Sequence, residues 1–67
     1  MTLTVNGKTE SVAAGTTLSQ LLAQRKIRPE VVTVELNDAI VERARFGATV
    51  LRDGDHLELV FYMGGGA

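Results

Sequence analysis

Asn6-Gly7 separates two short segments suited to extended chain, and this arrangement constrains the fold more than any other feature of the sequence. Thr2-Leu3-Thr4-Val5 alternates polar with apolar residues and is rich in β-branched side chains, the signature of a half-buried strand. Asn-Gly places two residues that tolerate positive φ where a two-residue hairpin turn demands it. Lys8-Thr9-Glu10-Ser11-Val12 then returns as the partner strand, and Ala13-Ala14-Gly15 ends it. A lone hairpin is marginal in water, so the rest of the chain must extend its sheet and cover one face.

The next segment supplies the cover. Thr17-Leu18-Ser19-Gln20 reads as a capping box, and Leu18, Leu21 and Leu22 form one apolar helical stripe, with Arg25 at the next step. The helix is expected to fade near Lys26, because Arg28 precedes Pro29 and is pushed out of the helical region. Val31 to Leu36 is a second β-branched run, with Val32, Val34 and Leu36 on one side and Thr33 and Glu35 on the other. Asn37-Asp38 suits a turn and Ala39-Ile40-Val41 continues extended. Glu42 to Ala48 reads as irregular and polar, and Val50-Leu51 as a short strand. Asp53-Gly54-Asp55 is a tight turn before the last strand, His56 to Tyr62.

A helix that follows one hairpin must bury its stripe against one face of the sheet. The expected fold is α+β: a β-grasp, ubiquitin-like arrangement, with a mixed sheet of four to five strands and one main helix packed across it. The first and last strands pair in parallel at the centre of such a sheet. Leu3, Val5, Leu18, Leu21, Leu22, Val34, Leu36, Ile40, Leu57 and Leu59 are the expected core.

Composition narrows the function classes. The chain has 67 residues, of which 45% are hydrophobic, enough for one domain that buries about 60% of its unfolded surface. The expected division is a single domain over 1–63 and a flexible glycine tail over 64–67. Without cysteine there is neither a disulfide nor a thiolate metal site, and sulfur, if handled, cannot ride on a side-chain thiol. A net charge of −1 with interspersed signs argues against nucleic acid as a partner. No apolar run approaches the roughly 20 residues of a membrane span, and no secretion signal opens the chain. A cytoplasmic protein without membrane contact is the expectation.

Side chains offer little chemistry. His56 has no neighbouring nucleophile or base and reads as structural or solvent-facing. Asp53 and Asp55 lack the further oxygen ligands and distal Glu of a calcium loop, so turn chemistry accounts for them. Arg43 and Arg45 read as a solvated segment. No catalytic residue and no metal site are expected. The last strand is more informative: its alternation puts Leu57, Leu59 and Phe61 on one face, leaving Val60 and Tyr62, with Met63 beside them, on the open side. That cluster is a candidate docking patch. Directly after it come Gly64-Gly65-Gly66-Ala67, a run without side chains whose backbone can pass close to the walls of a partner's channel.

Several pieces in order give the chain a specific resemblance: Val5-Asn6-Gly7; Ala14-Gly15-Thr16-Thr17-Leu18 with Leu21-Leu22; Val34-Glu35-Leu36-Asn37 with Ile40-Val41; and Asp53-Gly54-Asp55 leading through Leu57-Glu58-Leu59 to the glycines. Over nearly its whole length the sequence resembles the sulfur carrier proteins of thiamin biosynthesis, the ThiS/MoaD family of ubiquitin-like proteins. The resemblance implies that a Gly-Gly carboxylate is adenylated with ATP by a partner adenylyltransferase of the ubiquitin-activating type. It is then converted to a thiocarboxylate, with sulfur from a donor such as a cysteine desulfurase, and delivers that sulfur to thiazole synthase. The carrier itself is no enzyme and binds no cofactor. Counted from Asp53-Gly54-Asp55, Gly65 and Gly66 fall on the family's final pair, Gly66 as the attachment point, with Gly64 and Gly65 threading the partner's active site. Ala67 departs from that pattern, and its removal before activation is expected.

Three other readings stay open, the last of them the weakest. A carrier for molybdopterin or another sulfur-containing product shares the tail. A ubiquitin-like modifier would join the same carboxylate to lysines. A β-grasp regulatory binding module has no use for the glycines.

Overall fold

The computed structural model describes residues 1–62, and in it Asn6-Gly7 joins β1 (Thr2–Val5) to β2 (Lys8–Ser11) as an antiparallel hairpin. Both turn residues have positive φ, 49° and 83°, the left-handed pairing that matches the twist of the flanking strands. Then follow α1 (Leu18–Gln24), β3 (Val32–Leu36), β4 (Ala39–Val41) and β5 (His56–Phe61). The strands form a 5-stranded sheet in the order β2-β1-β5-β3-β4. β1 and β5 run parallel, and the other pairs are antiparallel. This is the expected β-grasp, with the first and last strands side by side and one main helix across the sheet.

The helix start forms as the sequence implies. The Gln20 amide donates to Thr17 Oγ1 at 3.1 Å, and the Thr17 amide donates to Gln20 Oε1 at 2.9 Å. The other end falls near Lys26 as expected, with α1 stopping at Gln24 and Arg28 extended before Pro29, but a local cap makes the stop. Lys26 turns left-handed at φ 59°. The Ile27 amide then donates to Leu22 O at 2.9 Å and the Lys26 amide to Ala23 O at 3.0 Å, the bond pair of a Schellman cap. Ile27 folds back against the core. Pro29 does not end the helix but opens a 3₁₀ turn, Pro29–Val31, that leads into β3.

Leu18, Leu21 and Leu22 of α1 are buried with Leu3, Val5, Val32, Val34, Leu57 and Leu59 of the sheet. Three expectations need correction. Ile40 is 68% exposed and outside the core, because the turn at Asn37-Asp38 sets Leu36 opposite Ala39 and so Ile40 opposite outward-facing Glu35. The segment read as irregular is a 3₁₀ helix, Arg43–Ala48, that carries buried Phe46 into the core beside α1. Val50 forms a single bridge with Thr17 rather than a strand. Here the Leu18 amide donates to Thr49 O and the Leu51 amide to Thr16 O, both at 2.9 Å, which fixes Leu51 beneath the helix start. Leu36 is only partly buried at the core's margin. No helix among the described residues is long and apolar enough to cross a membrane.

Candidate functional site

One face of the sheet lies under α1. The other carries Thr2, Thr4, Thr9, Ser11, Thr33, Glu35, Ile40, His56, Glu58 and Val60, by the alternation and register of the strands. No helix packs on this face among the described residues. Val60 and Tyr62 stand on it at 51% and 59% exposure, as the alternation of the last strand implies, and Ile40 adds a third large apolar side chain from β4. Met63, Gly64, Gly65 and Gly66 lie outside the described residues.

The strand that leads to the glycines is tied down on both sides. Beyond the end of β1, the Asn6 side chain continues the pairing: the Leu59 amide donates to its Oδ1 at 2.7 Å, and its Nδ2 donates to Leu59 O at 3.2 Å. One residue therefore makes the hairpin turn and clamps β5. On the other side, the Tyr62 amide donates to Val31 O at 2.9 Å, and the Tyr62 hydroxyl hydrogen-bonds the Thr33 hydroxyl. β5 is thus anchored to its last described residue. Phe61, opposite Val32, faces the helix side but is 43% exposed. It lines a groove with Asn6, Lys8, Arg25 and Ile27 just past the end of α1, so the helix does not cover it as Leu57 and Leu59 are covered.

The start of β5 is held by Asp53-Gly54-Asp55. Gly54 adopts φ 87°, a conformation that costs glycine little. Asp53 Oδ1 accepts from the Thr2 amide at 2.6 Å. Asp55 accepts from the Arg52 amide at 2.8 Å and from Asn37 Nδ2 at 3.0 Å. These carboxylates do turn chemistry, stitching β5 to β1 and to the β3–β4 turn. The exposed His56 sits beside them, its amide donating to Asn37 Oδ1 at 2.9 Å. Arg43 and Arg45 are exposed on the 3₁₀ helix.

Two features of the site escaped the sequence reading. The Asn6 clamp left no signal beyond the turn motif itself. The pairing of Glu35 with Glu58 across β3 and β5 was hidden by the long connection between those strands.

Known proteins resemble this chain throughout its length. It is 44% identical over 66 residues to a protein named thiazole synthase from Magnetococcus marinus, of which it spans only 20%. It is 35% identical to the sulfur carrier protein ThiS of Bacillus subtilis, covering 96% of this chain and 98% of that one. The crystal structure of the thiamine biosynthesis protein ThiS from Geobacter metallireducens superposes with a TM-score of 0.84 at 46% identity, covering 98% of this chain and 100% of that one. A family model described as the ThiS family matches residues 2–66, and the chain belongs to that family.

Proposed function

We propose that this chain is a sulfur carrier for thiazole formation in thiamin biosynthesis, with the sulfur held as a thiocarboxylate on Gly66. The observation that carries the reading is the Gly64-Gly65-Gly66 run that follows β5 in sequence after Tyr62 and Met63, the strand being clamped near its end by Asn6 and Val31. Membership of the ThiS family supports it. So do the name of the Bacillus subtilis relative and the thiazole synthase of Magnetococcus marinus, which contains a segment like this chain.

The chemistry follows from the main chain. Hydrolysis of the peptide bond after Gly66 exposes a carboxylate. A terminal carboxyl group has a pKa of about 3.3–3.7, so it is ionised at neutral pH and a poor electrophile. A partner adenylyltransferase joins it to AMP, with pyrophosphate leaving from ATP. A persulfide formed by a donor such as a cysteine desulfurase then displaces AMP, exchanging the C–O bond to phosphate for C–S, and a thiol cleaves the S–S bond reductively, leaving the thiocarboxylate and a disulfide. Thiazole synthase takes the sulfur as the C–S bond breaks, and an oxygen from its substrate or from water takes its place on the acyl carbon, restoring the carboxylate. Through these steps the folded body supplies no catalytic group. It presents the glycines on an anchored strand, and Val60, Tyr62 and Met63 form part of the surface that the partners grip.

Intact-mass measurement on the protein from its own cell tests this. The expected species ends at Gly66 with one oxygen replaced by sulfur. A chain that keeps Ala67 and is adenylated as fast as one ending at Gly66 removes the trimming step. A mass added to other proteins through their lysines would favour a modifier instead.

A further inference from the structure

A groove of about 400 Å³ lies on the helix side of the sheet, at the end of β5 that leads to the glycines. Leu59, half-buried Ile27 and exposed Phe61 give it an apolar lining. Lys8 and Arg25 stand beside them. Glu10 engages Nη2 of Arg25, while the buried Nε has no acceptor among the described residues. A guanidinium carries five N–H donors, so this one has donors left for a second carboxylate. The surrounding charge has the same sign. Lys8, Lys26 and Arg28 are exposed, and this end of the fold sets four cations, with Arg25, against two carboxylates, Glu10 and Glu30. The whole chain has a net charge of −1, so the end beside the glycines is locally reversed in sign.

The length of the tail decides what meets this groove. Gly66 is four residues beyond Tyr62, and four extended residues span at most about 14 Å. A protein that works on the Gly66 carboxylate must therefore lie against the end of β5. Phe61 faces the helix side and Tyr62 the open side. A channel that encloses the tail thus has one wall toward Val60 and Tyr62 and the opposite wall toward the groove.

Resting on the carrier reading above, we propose that the groove is the second half of that grip. It receives an apolar side chain of the adenylyltransferase, flanked by carboxylates that face Lys8 and Arg25. The adenylyltransferase is the occupant because an acyl adenylate must be kept from water, which requires walls closed around the tail. Opposite charge at the mouth of the channel aids encounter and fixes orientation.

The test uses the carrier purified from its own cell and the adenylyltransferase of that cell, with ATP-dependent adenylation followed at low and high salt. Phe61→Ala is expected to raise the KM for the carrier about tenfold at either salt concentration, with kcat unchanged, the mark of lost docking. Lys8→Glu is expected to raise it about tenfold at low salt and only about twofold at high salt. Arg45→Glu, the same charge reversal on the 3₁₀ helix, is expected to leave KM as in the parent. Urea midpoints are measured alongside. Lys8 is exposed, so its variant tests the groove even if Phe61→Ala unfolds early. If the parent is adenylated and both groove variants keep its KM, the groove is overturned and the carrier reading stands. If Arg45→Glu raises KM as much as Lys8→Glu, net charge accounts for the attraction and the acidic occupant is overturned. A parent that is not adenylated removes the carrier reading and the groove with it.

Discussion

Leu57 and Glu58 are consecutive residues of β5, yet Leu57 is 1% exposed beneath α1 and Glu58 faces away from the helix opposite another glutamate. The same contrast holds across the sheet. On the covered side, Leu3, Val5, Val32, Val34, Leu57 and Leu59 meet the helix stripe. On the open side stand threonines, two glutamates and a few exposed apolar groups. The covered face specifies the fold, since a one-residue slip would turn its whole apolar set outward. The open face needs only strand-compatible residues, which β-branched threonines supply without burial. It is therefore free to carry recognition, which is the role proposed above for the patch beside Val60 and Tyr62.

The largest expected effect lies on the covered face. Leu57→Ala should cost about 3 kcal/mol, a large part of the roughly 5 kcal/mol that holds a domain of this size together. Urea denaturation followed by circular dichroism measures it. A loss below about 1 kcal/mol would mean that the core can collapse around the cavity, and the division between specifying and free faces would weaken.

A smaller effect belongs at the boundary of the two faces, where Asn6 closes the hairpin and clamps Leu59. Asn6→Ala removes both side-chain hydrogen bonds and strains a backbone at φ 49°, with an expected loss of about 2 kcal/mol. Asn6→Gly keeps the left-handed turn and loses only the clamp, so it should fall between Ala and the parent. If Gly equals the parent in urea denaturation, the clamp contributes nothing and β5 is held by its ladder bonds alone.

How much of this could be read beforehand follows the range of each interaction. The hairpin, the capping box, the helix stripe and the alternation of β5 are local patterns, and each appears in the structure where the residues put it. Phe46 was missed because its neighbours Arg43, Arg45 and Gly47 give no periodic pattern. Its burial comes from the bonds that tie 49–51 to 16–18, a contact between segments distant in sequence. The helix end near Lys26 and the extended Arg28 before Pro29 were legible, but the Schellman cap was not, because lysine is not the residue that normally takes that conformation. The open-face patch was legible in Val60 and Tyr62 through the period of two. Its acidic centre was not, since pairing β3 with β5 requires the register of the whole sheet.

Ile40 is the instructive intermediate, and it carries the smallest expected effect. As part of an apolar run in β4 it reads as core, but two facts in the sequence oppose that. Glu35 belongs to the polar side of β3, and a two-residue turn at Asn37-Asp38 places residue 40 directly across from it. Parity, not hydrophobicity, decides the face. Ile40→Ala should therefore change stability by less than about 0.5 kcal/mol, whereas the same substitution at a core position costs about 2–5 kcal/mol. A stability loss in the core range would return Ile40 to the helix side and shift the register of β4. An unchanged urea midpoint together with weaker binding to thiazole synthase would place it on the rim of the docking face. That outcome separates the two faces most finely, because one exposed aliphatic side chain then matters to the partner and not to the fold.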